Sequence, residues 1–448
     1  MKNESYFRIF REAVRLQKEG RLIDGIENIS IEDMDEGLLR GYIASALGQE
    51  PEEGISLTEL AKKALREYEM NKPILTVTGE CEDDCREAGV HKCVKSCPFE
   101  SIFYDRKASR IKISKEDCTG CSECIDACHK KKIIDKIQYF PIANIIRDHK
   151  APVYAAIAPA FAGQFGEGIT AGKLRTAFKM LGFDDMVEVA IFADILSIRE
   201  AVEFDRLVKE VGDFMITSCC CPIWMAMLKK HYRALVEHVT PSVSPMIAAG
   251  RVLKKLVSEA KVVFIGPCVA KKAEAKEPDV AGAIDYVMTF DELNEVFKVS
   301  EINISELKED ISDCSSKGGR IYARTGGVSQ CIEETLEKIS PKRMIKLKAV
   351  QGNGVKECKE LLDKAIKGEI DANFLEGMGC IGGCVGGPKV VIDKETGRVK
   401  VNEYGEQAEY KTPVDSLCVL KVLGGIGFEI IDELKEENEK TRIFRRKL

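Results

Sequence analysis

The sequence predicts an α/β protein of several domains, on three observations: a periodic helical start, a dense block of cysteines, and a long run in which apolar strand-like and helical segments alternate. At about 150 residues per domain, a chain of 448 residues suggests about three. The boundaries read as 1–71 for a helical region, 72–140 for a cysteine-rich domain and 141–448 for a large α/β domain. Composition is that of an ordinary globular chain, 45% hydrophobic and 31% charged, and a net charge of -6 disfavours a nucleic-acid footprint. Nothing approaches the ~20 consecutive apolar residues of a membrane span, and the start MKNESYFRIF lacks the apolar core of a signal peptide. The expected location is the cytoplasm.

Helical periodicity runs through SYFRIFREAVRLQ and ISLTELAKKALREYE, with a Ser-x-x-Glu cap at Ser56 and breaks at Gly20 and Gly54. After Lys72 the texture changes to short strands, turns and cysteines, too poor in apolar surface to fold without bound metal. Beyond Lys150, the runs VYAAIAP, MVEVAIFA, DFMITS, KVVFIG and RIYART read as strand-like. The stretches KLRTAFKMLGF, IREAVEFDRLVKEV and VSQCIEETLEKI between and after them read as helices.

Eighteen cysteines in a chain with no secretion signal argue for metal ligation over disulfides, and eight of the 18 fall between positions 81 and 128. The run Cys118-x2-Cys121-x2-Cys124-x3-Cys128 has the bacterial ferredoxin spacing, in which three thiolates wrap one cubane and the fourth reaches another. Upstream, Cys81-x3-Cys85-x7-Cys93-x3-Cys97-Pro98 keeps the terminal Cys-Pro with stretched spacings. This assigns Cys97, Cys118, Cys121 and Cys124 to one 4Fe-4S cluster, and Cys81, Cys85, Cys93 and Cys128 to the other. Zinc is the competing occupant. With eight thiols available, His91 and His129 read as surface side chains near the clusters. Two such clusters form an electron wire.

Three further segments carry cysteines in contexts that packing alone would not choose: TSCCCPIW at 217–224, GPCVAKKAEA at 266–275 and FLEGMGCIGGCVGGPKV at 374–390. Pro222 suits the first turn of a helix, which puts Cys220 and Cys221 at its N-terminus, where negative sulfur is favoured. Cys380 and Cys384, four apart, would share one face of a helix. The many glycines around them would then mark the close approach of a bulky inorganic cofactor. Cys221, Cys268, Cys380 and Cys384 supply the four thiolates of a cubane.

These segments resemble the three signature motifs of the FeFe hydrogenases. AIAPA at 156–160, FADILSIREAVEF at 192–204, DYVMTFDEL at 285–293, ARTGGV at 323–328 and VQGNGVKECKELL at 350–362 extend the resemblance over most of residues 72 to about 390. It implies a two-lobed FeFe-hydrogenase-like catalytic domain behind an N-terminal two-cluster ferredoxin-like domain and a helical N-terminal extension. The implied activity is reversible interconversion of protons and electrons with dihydrogen. The implied cofactor is an H-cluster, a 4Fe-4S cubane joined through one cysteine to a two-iron centre with carbonyl, cyanide and azadithiolate ligands. By the same resemblance Cys268 and Cys380 hold the cubane, Cys384 also bridges to the two-iron centre, and Lys271 bonds a cyanide. Met378, Ala158 and Pro159 line that centre. Anchoring the first motif on Pro222 and Trp224 makes Cys221 the ligand and Cys220 the proton-donating thiol; anchoring it on Thr217 and Ser218 shifts both by one. The first anchor is preferred, because helix geometry downstream holds position better than the turn upstream. It leaves Cys219 as an extra thiol of open role, able to ligate the vacant iron position under oxidation.

The family's proton path maps onto Glu200, Thr240 in place of the usual serine, and Glu203, with Arg206 one position away from the usual exit. Without the resemblance, Glu200 and Glu203 read as a solvated helix face. Gly266, Met246 and a shortened VGGPK run depart from the family pattern. Cys314, Cys331, Cys358 and Cys418, without cluster spacing, read as small buried hydrophobes. Implied partners are ferredoxin or a similar electron carrier and maturation proteins, with no nucleic acid and no membrane. The competing readings are a non-catalytic hydrogenase-like iron-sulfur assembly factor and a hydrogen sensor.

Overall fold

Asn3 caps the first helix, Glu4–Lys18, by accepting the Tyr6 N–H, and the helix buries Tyr6, Phe7, Ile9, Phe10, Ala13 and Val14 on one face. The computed structural model describes residues 3–448 except 53, 67–73, 80, 82–84, 108–109, 219, 313–314 and 437. Cys219, Cys314 and the end of the second expected helix therefore lie outside the described residues. The chain forms two compact units: residues 1–150 with 269–273 and 286–303, and residues 151–268 with 274–285 and 304–448.

In the first unit, Gly20 and Gly54 take φ of +70° and +79° and interrupt the helices, as expected. Ser56 accepts the Glu59 N–H at 3.1 Å ahead of the helix Leu57–Arg66. The cysteine-rich part opens with β1 (Leu75–Val77), followed by two hairpins. The first pairs β2 (Arg86–Glu87) with β3 (Val90–His91); the second pairs β4 (Ile102–Asp105) with β5 (Arg110–Ile113). β6 (Ile133–Asp135) closes back on β1 in antiparallel register, Leu75 opposite Asp135. Ile74, Leu75, Ile102, Ile111 and Ile133 form a small core with Val269 and Ala273, which return to this unit from far along the chain.

Lys272 locks that return. Its ammonium, fully buried, lies 2.9 Å from Asp135 and 2.5 Å from Glu292, and donates to the Lys136 carbonyl at 2.7 Å. A buried cation removed from between two buried carboxylates costs about 3–5 kcal/mol. Lys272→Met is therefore expected to lower the unfolding free energy of the unit by about that much in chemical denaturation.

The second unit is built on parallel strands. β7 (Val153–Ile157) lies between β8 (Asp185–Glu188) and β10 (Lys261–Gly266), parallel to both. A second parallel sheet sets β9 (Met215–Ile216) beside β12 (Phe374–Met378), which pairs on its other side with β11 (Ala349–Asn353). Helices connect the strands, as parallel pairing requires. Ligand sites in such sheets form outside the carboxyl ends of the strands. AIAPA, TSCCCPIW, GPCVAKK and GMGCIGGC leave the C-terminal ends of β7, β9, β10 and β12 in turn.

Several local expectations are corrected. In MVEVAIFA only the first part is strand; Ile191, Phe192 and Ala193 belong to the helix Ala190–Leu207. RIYART is not a strand, because the helix Lys317–Ile321 runs into a turn there. Asp194 accepts from Ser316 N at 2.7 Å and Ser316 Oγ at 2.5 Å, and Tyr322 Oη meets Ser197 Oγ at 2.8 Å, so this segment is held against a helix. Cys331 and Cys358 are buried thiols, as expected, whereas Cys418 is half-buried and disulfide-bonded. Among the described residues no helix is long and apolar enough to cross a membrane.

Candidate functional site

In the first unit the eight cysteines divide as their spacing predicts. Cys81, Cys85, Cys93 and Cys128 line one cavity, and Cys97, Cys118, Cys121 and Cys124 line another. Two backbone amides already point at sulfur: Ser101 N–H at Cys97 Sγ, 3.2 Å, and Lys132 N–H at Cys128 Sγ, 3.3 Å. Burial, reinforced by the neighbouring sulfurs, pushes the Cys93 and Cys121 thiols up to about 12 and Cys124 higher still. Sulfurs crowded this way need positive charge among them before they can ionise. His129 is exposed, as expected, but His91 is not a surface side chain. It is 2% exposed, with its Nδ1 2.8 Å from Cys85 Sγ and its ring against Tyr104.

In the second unit, Cys221 is the N-cap of the helix Pro222–His231, with Pro222 in its first turn. Thr217 N bonds the Leu375 carbonyl at 3.1 Å and the Trp224 indole bonds the Thr217 carbonyl at 2.9 Å, which seats this loop on the end of β12. There Gly379 N–H donates to Cys221 Sγ at 3.3 Å, one residue before Cys380. Cys220 Sγ lies 3.7 Å from Met378 Sδ. Cys268 enters from the other side: Lys389 N bonds the Pro267 carbonyl at 3.1 Å, and Gly387, whose N–H bonds the Cys384 carbonyl, lies against that same carbonyl. The four cysteines therefore sit on adjoining loops at the ends of parallel strands. All four are thiols rather than disulfides.

The expected helix bearing Cys380 and Cys384 is not formed. Met378 ends β12, Gly382 and Gly383 take φ of +94° and +84°, and Cys384 begins a 3-10 turn. Positive φ is incompatible with a right-handed helix. Three of the glycines have a reason within the protein itself. A Cβ on Gly377 would meet the Trp224 ring at 2.1 Å, one on Gly379 would meet Ile223 at 2.6 Å, and one on Gly383 would meet the Thr325 amide at 2.7 Å. The protein itself makes those close approaches. Asn353, which the sequence reading did not single out, accepts from Gly382 N at 2.6 Å and Thr325 Oγ1 at 2.9 Å, and Val385 N bonds the Ala323 carbonyl. ARTGGV and VQGNG thus hold the cysteine turn in place.

Behind the first motif lies a buried polar chain. Glu200 is wholly buried on the helix Ala190–Leu207, and Thr240 Oγ1 donates to its Oε1 at 2.5 Å. Ser218 Oγ is 3.1 Å from Thr240 Oγ1 and donates to the Ser242 carbonyl at 2.8 Å. Loss of solvation pushes the Glu200 carboxyl up to about 7, against the restraint of the Ser242, Thr240 and Thr217 hydroxyls. One turn along, Glu203 is also buried and accepts two hydrogen bonds from the exposed Arg206, at 2.7 and 3.1 Å. The solvated helix face that sequence alone suggests is thus absent. Ser218 was missed because a serine beside three cysteines carries no signal of its own.

A profile of the family described as "Iron only hydrogenase large subunit, C-terminal domain" matches residues 151–388, more than half of the chain. The chain belongs to this family. It is 26% identical to Iron hydrogenase 1 of Clostridium pasteurianum over 409 residues, covering 70% of this chain and 71% of that protein. It is also 22% identical to Cytosolic iron-sulfur assembly component 3 of Bos taurus, over 63% of this chain and 72% of the relative. The fold is shared with the FeFe-hydrogenase HydA1 of Chlamydomonas reinhardtii, with a TM-score of 0.52 and 22% identity over 66% of this chain and 93% of that one.

The donor set of this iron-only hydrogenase family member fits iron-sulfur groups. Among the described residues no three Cys, His, Asp or Glu side chains converge as the ligands of a single ion do. The two tetrads of the first unit instead line cavities, and in the second unit Cys221, Cys268, Cys380 and Cys384, all free thiols, lie on loops that leave strand ends. Soft sulfur donors suit iron-sulfur centres. Gly266 is closely covered: a Cβ there would meet the Phe264 ring at 2.6 Å and Ala158 Cβ at 3.2 Å. Met246 and Lys271 are buried, and Ala158 precedes the turn Pro159–Phe161.

Proposed function

We propose that the chain is an FeFe hydrogenase that interconverts protons and electrons with dihydrogen. Cys221, Cys268, Cys380 and Cys384 would hold the cubane of an H-cluster, with Cys384 shared with the two-iron centre; Lys271, Met378, Ala158 and Pro159 would line that centre. The bound group supplies the redox chemistry of making and breaking the hydrogen–hydrogen bond. The rest falls to the chain. Cys220 holds an exchangeable proton at the sulfur facing Met378. Glu200, linked through Thr240 to Ser218 in the same loop, takes that proton up and releases it towards Glu203 and Arg206 at the surface. Electrons travel through the two 4Fe-4S clusters of the cysteine-rich part, exchanged with a ferredoxin or similar carrier in the cytoplasm after maturation by dedicated assembly proteins.

The observation that carries this reading is the wholly buried Glu200, poised at about 7 and hydrogen-bonded towards the first motif. A protein that only handles clusters has no use for a proton path. The Bos taurus relative supports the second reading, an iron-sulfur assembly factor without hydrogen chemistry. Isotope exchange separates them, since it needs no electron partner. Matured protein under deuterium gas in ordinary water is expected to form HD and H2. A fully iron-loaded protein that forms neither supports the assembly factor.

A further inference from the structure

One cysteine sulfur of the first unit is met by a side chain. His91 Nδ1 stands 2.8 Å from Cys85 Sγ, nearer than the amides at Cys97 and Cys128. His91 faces Arg86 directly across the β2–β3 hairpin, and Arg86 Nε–H points at His91 Nε2 from 3.3 Å. A guanidinium has donors and no acceptor. Nε2 must therefore accept, the neutral ring carries its hydrogen on Nδ1, and that N–H is directed at the Cys85 sulfur. Tyr104 fixes the ring plane, with its centroid 4.8 Å from the imidazole and 5.1 Å from the Arg86 guanidinium carbon. Cys85 lines the cavity shared with Cys81, Cys93 and Cys128, while His91 stands behind the sulfur, outside the lining.

We propose that His91 is a positioning residue that donates its Nδ1–H to Cys85 and thereby raises the reduction potential of the cluster held by Cys81, Cys85, Cys93 and Cys128. The inference rests on the cluster reading given above. Reduction adds one electron to the cluster, taken from the external carrier, and part of the added charge lies on the ligand sulfurs. A side-chain donor stabilises that more negative state more than the oxidised one.

The test is a reductive titration of the reconstituted full chain followed by electron paramagnetic resonance, with iron and sulfide assayed in parallel. His91→Phe is expected to lower the one-electron reduction constant of one cluster about tenfold, about 59 mV, and to leave the other unchanged. His91→Asn, whose side-chain amide can still donate, recovers most of the shift. Arg86 is exposed, so Arg86→Met is a mild second variant: it frees the imidazole to hold its hydrogen on either nitrogen and shifts the same cluster in the same direction. Unchanged potentials in fully loaded His91→Phe and Arg86→Met proteins overturn the proposal. So does loss of one cluster in His91→Phe while Cys85→Ala keeps both, which makes His91 the ligand. A wild-type chain that reconstitutes no cluster signal defeats the cluster reading itself, a separate failure.

Discussion

Glu200→Gln is expected to lower hydrogen turnover about a hundredfold or more while the protein stays folded and loaded with iron. General acid–base groups contribute about 10²–10⁴-fold, and a relay interrupted at its buried carboxyl loses most of that. Glutamine keeps an oxygen to accept the Thr240 hydroxyl, so the packing around Oε1 is preserved. Only proton exchange is lost. Stability gives an independent readout with a definite sign. The Glu200 carboxyl titrates near 7 in the folded chain against an ordinary 4.5. Below about pH 4.5 it is protonated in both states and has no differential effect. Between about 4.5 and 7 the unfolded chain releases the proton first, so the native state loses stability as pH rises, levelling above 7. The glutamine variant lacks this loss and gains on wild type across that window, by on the order of a few kcal/mol. Asp194, also pushed up to about 7 by burial, gives a loss of the same sign that both proteins share. Turnover and thermal unfolding from pH 4 to 8 check both parts; a Glu200→Gln protein with undiminished turnover removes Glu200 from the path.

Cys384→Ser is expected to abolish hydrogen turnover and to release the proposed two-iron centre, while the iron of the cysteine-rich unit remains. A serine hydroxyl is a hard, weakly ionised donor where a soft thiolate is required. The turn itself does not depend on the sulfur, because Gly387 N bonds the residue 384 carbonyl and Val385 N bonds the Ala323 carbonyl, each at 3.0 Å. The variant is therefore expected to unfold within a few degrees of the unloaded wild type. Turnover, iron analysis and thermal unfolding on one preparation decide it: retained turnover removes Cys384 from the ligand set.

Features written in short-range spacing were legible in advance. The ferredoxin pattern divides the eight cysteines into the same two sets that line the two cavities, because a few intervening residues leave a thiol little choice of neighbour. Helix signals at Ser56 and Gly20 and strand signals in VYAAI and KVVFIG were equally local. The misreadings share a cause. A four-residue interval between Cys380 and Cys384 is helical only if the glycines between them allow it, and two of them sit at positive φ against a neighbouring segment. RIYART is apolar enough for a strand, but Asp194 and Ser197, more than a hundred residues earlier, hold it against a helix. His91 looked superfluous beside eight thiols until a hairpin turned it inward between Arg86 and Cys85. Likewise, nothing local announces that Val269 and Ala273 pack with the cysteine-rich core.

The central claim is that the thiols at the strand ends of the second unit hold a hydrogen-activating centre and not a cubane alone. Infrared spectroscopy of the matured full chain reads this without reference to turnover, partner or direction. Bands in the carbonyl and cyanide stretching region, lost in Cys384→Ser and kept in Glu200→Gln, are the result expected. A protein whose iron and sulfide account for every cubane, and which shows no such bands after maturation, contradicts the claim and leaves the assembly factor.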